Sequence, residues 1–265
     1  MRRRLQSVLG ANIDVISWDD ALKRIIRWAE RRESRYVCIC NAHSVVTAST
    51  DPEFKLVING ADLSTPDGAP IAWTLRYFGF SRQERINGPD LMWRYLRKAE
   101  QLGQGVYFYG STDATLKKLQ KVIAMHFPNL RICGAYAPPF YALTTREDEK
   151  EVEAINRSGA NIVFVGLGCP KQEKWMAAHC GRVRALMIGV GAAFDYHSGT
   201  VKRAPLWFQK NGLEWLYRLC AEPRRLFKRY MITNTLFTIG IGKQMLADKM
   251  SRNNFLSRLV ELMRN

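Results

Sequence analysis

The chain has 265 residues, 47% of them apolar and 24% charged, which excludes a disordered or fibrous protein and allows one domain with an appendage or two small domains. Its formal net charge of +16 implies an anionic partner such as nucleic acid, anionic lipid or a phosphorylated substrate. That charge is concentrated: from Thr200 onward thirteen basic residues face four acidic ones.

No run approaches the roughly 20 apolar residues of a membrane span. The nearest candidate, residues 230–242, is too short and carries Asn234 and several threonines. The opening Met-Arg-Arg-Arg lacks the apolar stretch of a secretion signal. The six cysteines form no Cys-x-x-Cys pair, so free thiols in a reducing cytoplasm are expected, with neither a zinc site nor a disulfide framework.

Residues 13–16 read as a short strand, after which Ser17 offers an N-cap and Asp19 and Asp20 suit the first turn of a helix reaching about residue 32. A second strand over 36–40 ends at Asn41-Ala42-His43-Ser44, where another helix begins. Open α/β sheets bind ligands at the carboxyl ends of their strands, which makes Asn41 and His43 site candidates. Capping accounts for Asn41 equally well, and nothing in the sequence ties a nucleophile or carboxylate to His43.

Pro66-Asp67-Gly68 reads as a turn with an acid at its centre: proline sets φ, Asp bonds its own backbone, and glycine accepts positive φ. A second turn, Arg85-Ile86-Asn87-Gly88-Pro89-Asp90, leads into a helix over 91–102, and its Arg85 and Asp90 either pair with each other or face a ligand. A strand over 105–109 meets Gly110-Ser111-Thr112, the start of a helix carrying Leu116, Leu119, Val122, Ile123 and Phe127. Residues 130–134 form a further strand and 145–157 an acidic amphipathic helix.

The stretch from Asn161 to Trp175 is the most informative. Residues 162–165 are a β-branched, buried strand; Gly166 and Gly168 allow a tight turn, and Pro170 opens a helix from about Lys171. A bare loop running into a helix N-terminus lets a phosphate approach backbone N–H groups, with Gln172 and Glu173 placed to reach a nucleotide's polar edge. An ordinary βα turn fits a lone Gly-x-Gly as well. Another buried strand, 185–190, runs to Gly191 and Asp195. The alternation predicts an α/β fold, a doubly wound and mostly parallel sheet, over residues 1–200.

Beyond Lys202-Arg203-Ala204-Pro205 the pattern turns helical, and residues 201–265 form a basic appendage. There Arg224, Arg225, Lys228 and Arg229 interleave with Leu226, Phe227 and Tyr230, which suits a helix lying in an anionic membrane interface. Packing on the core or a homo-oligomer contact are the plainer uses of such a segment.

Taken in order, these motifs resemble the WecG/TagA/CpsF glycosyltransferases. The resemblance rests on Asn41-Ala42-His43, Ala61-Asp62 with Pro66-Asp67-Gly68, Arg85 with Gly88 and Asp90-Leu91, and Gly166-x-Gly-x-Pro-Lys-Gln-Glu173. It continues through Gly199-Thr-Val-Lys-Arg-Ala-Pro205, Leu213-Glu-Trp-x-Tyr-Arg218 and Glu222-Pro-Arg-Arg225, covering about residues 13–230. It implies a Rossmann-like enzyme of bacterial surface or extracellular polysaccharide synthesis, peripheral on the cytoplasmic membrane face. Its donor would be a nucleotide sugar, such as UDP-glucose or UDP-N-acetylmannosamine, and its acceptor a polyprenyl-diphosphate-linked saccharide. On the same resemblance Asp67 is the catalytic base, Asn41 and Asp90 lie in the substrate pocket, and Arg85 is near the acceptor or leaving diphosphate. Gly166, Gly168, Pro170, Gln172 and Glu173 hold the nucleotide, while Arg218, Arg224 and Arg225 close over the site. One departure is Ile39, where the teichoic-acid branch has a threonine two residues before the matched Asn.

The chemistry agrees independently. Attack by a sugar hydroxyl needs a base for its proton, and one positioned carboxylate suffices for inverting transfer. No Asp-x-Asp is present to hold a metal on the leaving diphosphate, so arginines and helix ends are expected to neutralise it without any metal cofactor. A nicotinamide dehydrogenase shares the sheet, but Lys171 stands where its third glycine belongs and Asp195 is the nearest fit to its ribose acid. A nucleic-acid-binding protein accounts for the charge, yet no nucleic-acid module is visible and the basic cluster is mixed with apolar residues.

Overall fold

A computed structural model of the chain describes residues 3–264, with side chains as far as residue 251. The chain opens with an antiparallel hairpin, β1 (Leu5–Val8) and β2 (Ala11–Asp14), turned by Leu9 and Gly10 at φ +50° and +87°. Two positive φ values match the right-handed twist of the flanking strands. The strand expected at 13–16 therefore starts earlier, with β1 as a partner that its half-exposed pattern concealed.

The main sheet is parallel and has six strands in the order β4 (Leu63–Pro66), β3 (Arg35–Cys40), β8 (Leu186–Gly189), β7 (Ile162–Gly166), β5 (Val106–Gly110) and β6 (Ile132–Tyr136). β4 is a strand where only a turn was expected, paired from Val37↔Leu63 to Cys40↔Pro66, and β6 lies two residues later than expected. Four buried residues that include Ser64 and Thr65 give no apolar run to read.

Side chains alternate between two helical layers, as the two-residue period of a strand requires. Val37, Ile39, Phe108, Phe164 and Ile188 face a layer that includes α1 (Trp18–Glu30), α5 (Gly88–Leu102), α6 (Asp113–His126) and α9 (Ala193–His197). Cys38, Cys40, Tyr109, Val163 and Met187 face a layer that includes α2 (Ala42–Thr50), α3 (Pro52–Gly60), α4 (Ala69–Tyr77), α7 (Thr145–Ser158) and α8 (Lys171–His179). The doubly wound α/β architecture expected from the sequence is thus present.

The last segment is helical, as anticipated: α10 (Leu206–Lys210), α11 (Glu214–Ala221) and α12 (Pro223–Arg264). It does not hang free. Phe237 and Ile241 of α12 join the second core layer, Gln244 accepts from the Leu9 amide at 3.0 Å and donates to the Ser7 carbonyl at 2.8 Å, and Thr233 lies against His43. His43 is thereby a packing residue under α12. Among the described residues no helix is long and apolar enough to cross a membrane.

Candidate active site

Because the sheet is parallel, the residues that follow its strands share one rim. Asn41 follows β3, Asp67 follows β4, Ser111 follows β5, Leu167 follows β7 and Val190 follows β8. Adjacent strands β3 and β8 lead to helices on opposite faces, α2 and α9, the kind of junction at which open α/β sheets place ligands. A cavity of about 250 Å³ under the loop after β6, lined by Tyr107, Tyr109, Tyr136 and Glu151, is separate and shares no residue with this rim.

Asp67 is held from several sides. Its amide donates to the Cys40 carbonyl at 2.8 Å, continuing the β3–β4 ladder one step past Pro66. Its Oδ1 accepts from the Gly68 amide at 2.6 Å and from Arg85 Nε at 3.2 Å. Gly68 has φ +79°, which lets the chain turn into α4 directly behind the acid. Burial pushes the Asp67 carboxyl above its ordinary value, and the Arg85 cation only partly pulls it back. A carboxylate raised in this way is a stronger proton acceptor than a solvated one.

Arg85 bridges two acids. Its Nη2 donates to Glu214 Oε2 at 2.5 Å, and the side chains of Arg85, Asp67 and Glu214 are 19%, 19% and 17% exposed. Glu214 opens α11, so the appendage reaches the acid–arginine pair through a residue to which the sequence reading gave no role. Arg85 does not pair with Asp90. Asp90 Oδ1 instead accepts from Arg203 Nη1 at 2.6 Å and its Oδ2 from Asn87 Nδ2 at 2.6 Å. Burial opposes ionisation of Asp90, but these two donors outweigh it and hold the carboxyl below its ordinary value.

Asn41 does cap: its Oδ1 accepts from the amides of His43 and Ser44 at 2.9 and 3.2 Å, and the Asn41 amide in turn donates to Ser44 Oγ. Gly68 lies close, since a Cβ there would stand 3.9 Å from that of Asn41. Capping and a place beside Asp67 are therefore compatible.

The glycine loop is braced from within. Gln172 and Glu173 are only 4% and 1% exposed. Gln172 Oε1 accepts from the amides of Gly168 and Gly191 at 3.2 and 3.0 Å, tying the loops after β7 and β8, and its Nε2 donates to Glu173 Oε1 at 2.8 Å. The side chains expected to face a nucleotide thus shape the loop, and the Gly168 amide is already occupied. Burial holds the Glu173 carboxyl above its ordinary value. Gly168 takes φ +78° ahead of Pro170 and α8. At Gly166 a Cβ would sit 2.6 Å from Cδ2 of the fully buried Phe194 ring. Gly166→Ala is accordingly expected to destabilise the fold by about 1–3 kcal/mol through overpacking. A urea midpoint equal to that of the parent chain would contradict this.

Of the appended arginines, Arg218 stands over the Tyr196 ring at 5.6 Å, Arg225 pairs with Glu222 at 2.6 Å, and Arg224 is exposed. Burial raises the Asp195 carboxyl of α9, against the pull of the Arg225 and Arg218 cations. The Nε atoms of Arg203, Arg218 and Arg229 are buried without a hydrogen-bond partner among the described residues. Buried donors with unmet bonding capacity suit an anion with many acceptor oxygens. Among the described residues no group of three or more His, Cys, Asp or Glu is placed to hold a metal ion.

Residues 6–251 match the glycosyl transferase WecG/TagA/CpsF family. The chain is also 32% identical over 200 residues to the N-acetylglucosaminyldiphosphoundecaprenol N-acetyl-beta-D-mannosaminyltransferase of Bacillus spizizenii, an alignment covering 75% of this chain and 76% of that protein. With an acid following a parallel strand and bonded to an arginine that also meets the appended helices, the chain belongs to the WecG/TagA/CpsF family of glycosyltransferases.

Proposed function

We propose that the chain transfers a hexose or N-acetylhexosamine from a UDP-sugar to a polyprenyl-diphosphate-linked saccharide, with inversion and without a metal ion. The observation that carries this reading is Asp67, a carboxylate raised by burial and held at the sheet rim by Gly68 and Arg85. It takes the proton from the attacking hydroxyl as that oxygen bonds to the anomeric carbon and the nucleoside diphosphate leaves. Arg218 and the other unmatched arginine donors receive the departing charge. The Bacillus relative, whose name specifies a diphosphoundecaprenol acceptor, supports the acceptor class.

Such an acceptor lies in a membrane, and the outer surface of the last segment suits one. Trp207, Phe227, Met231 and Ile239 are 62%, 57%, 55% and 52% exposed, and Lys228 and Lys243 are exposed among them. Apolar side chains that enter an interface, together with about 1 kcal/mol for each cation near anionic lipid, give reversible peripheral attachment.

The test is a donor screen with the full chain: UDP- and GDP-sugars, a polyprenyl-diphosphate sugar in anionic vesicles, EDTA throughout, and detection of released nucleoside diphosphate. Release of UDP and a lengthened lipid-linked glycan are expected. Turnover only after Mg²⁺ or Mn²⁺ is restored would refute metal independence, and no turnover with any donor would refute the reaction.

A further inference from the structure

We propose that Glu214 is a positioning residue, which by gripping the outer end of the Arg85 guanidinium makes the docking of α11 a condition for a competent Asp67. The inference rests on the reading of Asp67 as the general base. Arg85 reaches both carboxylates at once, through Nε to Asp67 Oδ1 and through Nη2 to Glu214 Oε2. Charge-assisted bonds of this kind are the stronger class, so Glu214 fixes which edge of the planar fork remains for Asp67. A lone Arg85 would be free to hold Asp67 through two donors, stabilising the carboxylate and weakening it as a base. With Glu214 in place, Asp67 receives a single bond from Arg85, at 3.2 Å on the same Oδ1 that accepts from the Gly68 amide, and keeps Oδ2 for the acceptor hydroxyl.

A second observation shows that α11 is fitted to this position. The turn before it contains Gly212 at φ +72°, where a Cβ would stand 2.8 Å from Cβ of Ala69 and 3.1 Å from Cη2 of Trp73. Ala69 and Trp73 lie in the first two turns of α4, which begins two residues after Asp67. The α10–α11 corner is thus seated on the helix that carries the catalytic turn, with no room for a side chain. Undocking would withdraw Glu214 and admit water to Asp67 together, and both changes favour the ionised acid.

The experiment uses the full chain with Glu214→Gln, Glu214→Asp and Gly212→Ala. Glu214→Gln should lower kcat/KM by about tenfold or more, the scale of a charge-assisted bond, with donor affinity unchanged. It should also move the acid limb of the pH profile to lower pH, because a negative neighbour has been removed from Asp67. Gly212→Ala should move that limb in the same direction, and Glu214→Asp should restore most of the activity. A wild-type pH profile and rate in Glu214→Gln would overturn the proposal. So would a loss of activity that leaves the limb in place and that Glu214→Asp fails to recover, since a merely structural contact behaves that way. Should no donor be turned over at all, titration of the Asp67 carboxyl by NMR still decides: its midpoint falls in Glu214→Gln if the coupling exists and stays if it does not.

Discussion

Asp67→Asn should lower turnover by about 10²-fold or more while leaving the affinity for the nucleotide sugar close to that of the parent enzyme. The carboxamide has the shape of the carboxylate and its oxygen still accepts from the Gly68 amide, so the turn into α4 survives. What it cannot do is take a proton. The loss must then fall on kcat, because the interaction removed exists only as the acceptor hydroxyl is attacked. Stability should change little: the raised Asp67 carboxyl already makes ionisation a cost to the fold near neutral pH, and the neutral amide removes that cost. Steady-state kinetics of nucleoside diphosphate release, with donor binding measured by calorimetry, separate the two quantities. Turnover within a few-fold of the parent would assign the base elsewhere, and a weakened donor with unchanged kcat would make Asp67 a binding residue.

Strands with β-branched or apolar runs could be read from the chain, because a parallel strand covered on both faces needs no polar alternation. β3, β5, β7 and β8 all signal themselves in this way, and each placed its following residues on the rim. β4 did not, since Ser64 and Thr65 are satisfied inside the fold by bonds to Ile58 and Ile86 that no local pattern announces. The burial of Gln172 and Glu173 is hidden from the sequence for a related reason. A polar residue in the first turn of a helix looks solvent-facing, yet the Gly191 amide, 19 positions away, draws Gln172 inward. Glu214 lies within the Leu213–Arg218 motif, where nothing local marks its partner. A carboxylate opening a helix is usually there for the dipole, and its partner Arg85 is 129 positions distant. What escapes the sequence is therefore long-range pairing: the Gln172 brace between two rim loops and the Glu214–Arg85 bond between the appended helices and the rim.

Arg85→Met should reduce turnover by about 10²–10³-fold, the scale of losing an electrostatic stabiliser, and should move the acid limb of the pH profile upward. Arg85 is the only one of the three side chains in the Asp67–Arg85–Glu214 chain that is cationic, and all three are less than one-fifth exposed. Without it Asp67 keeps the burial and the Glu214 charge that raise its carboxyl, and loses the cation that lowers it. More of the base is then protonated at any working pH. The direction is opposite to that expected for Glu214→Gln, so the pair of variants checks the sign of the coupling as well as its existence. Stability should follow the same group. A carboxyl whose folded-state value is raised gives its favourable contribution below the unfolded value, and that contribution is lost as pH rises through the folded one. Breaking a partly buried pair costs about 3–5 kcal/mol at most, so Arg85→Met should lie nearest the parent in mild acid and fall furthest below it at neutral pH. Urea melts across that range measure the gap. A deficit constant with pH, or an acid limb that moves down, would mean that Arg85 holds α11 in place without acting on Asp67.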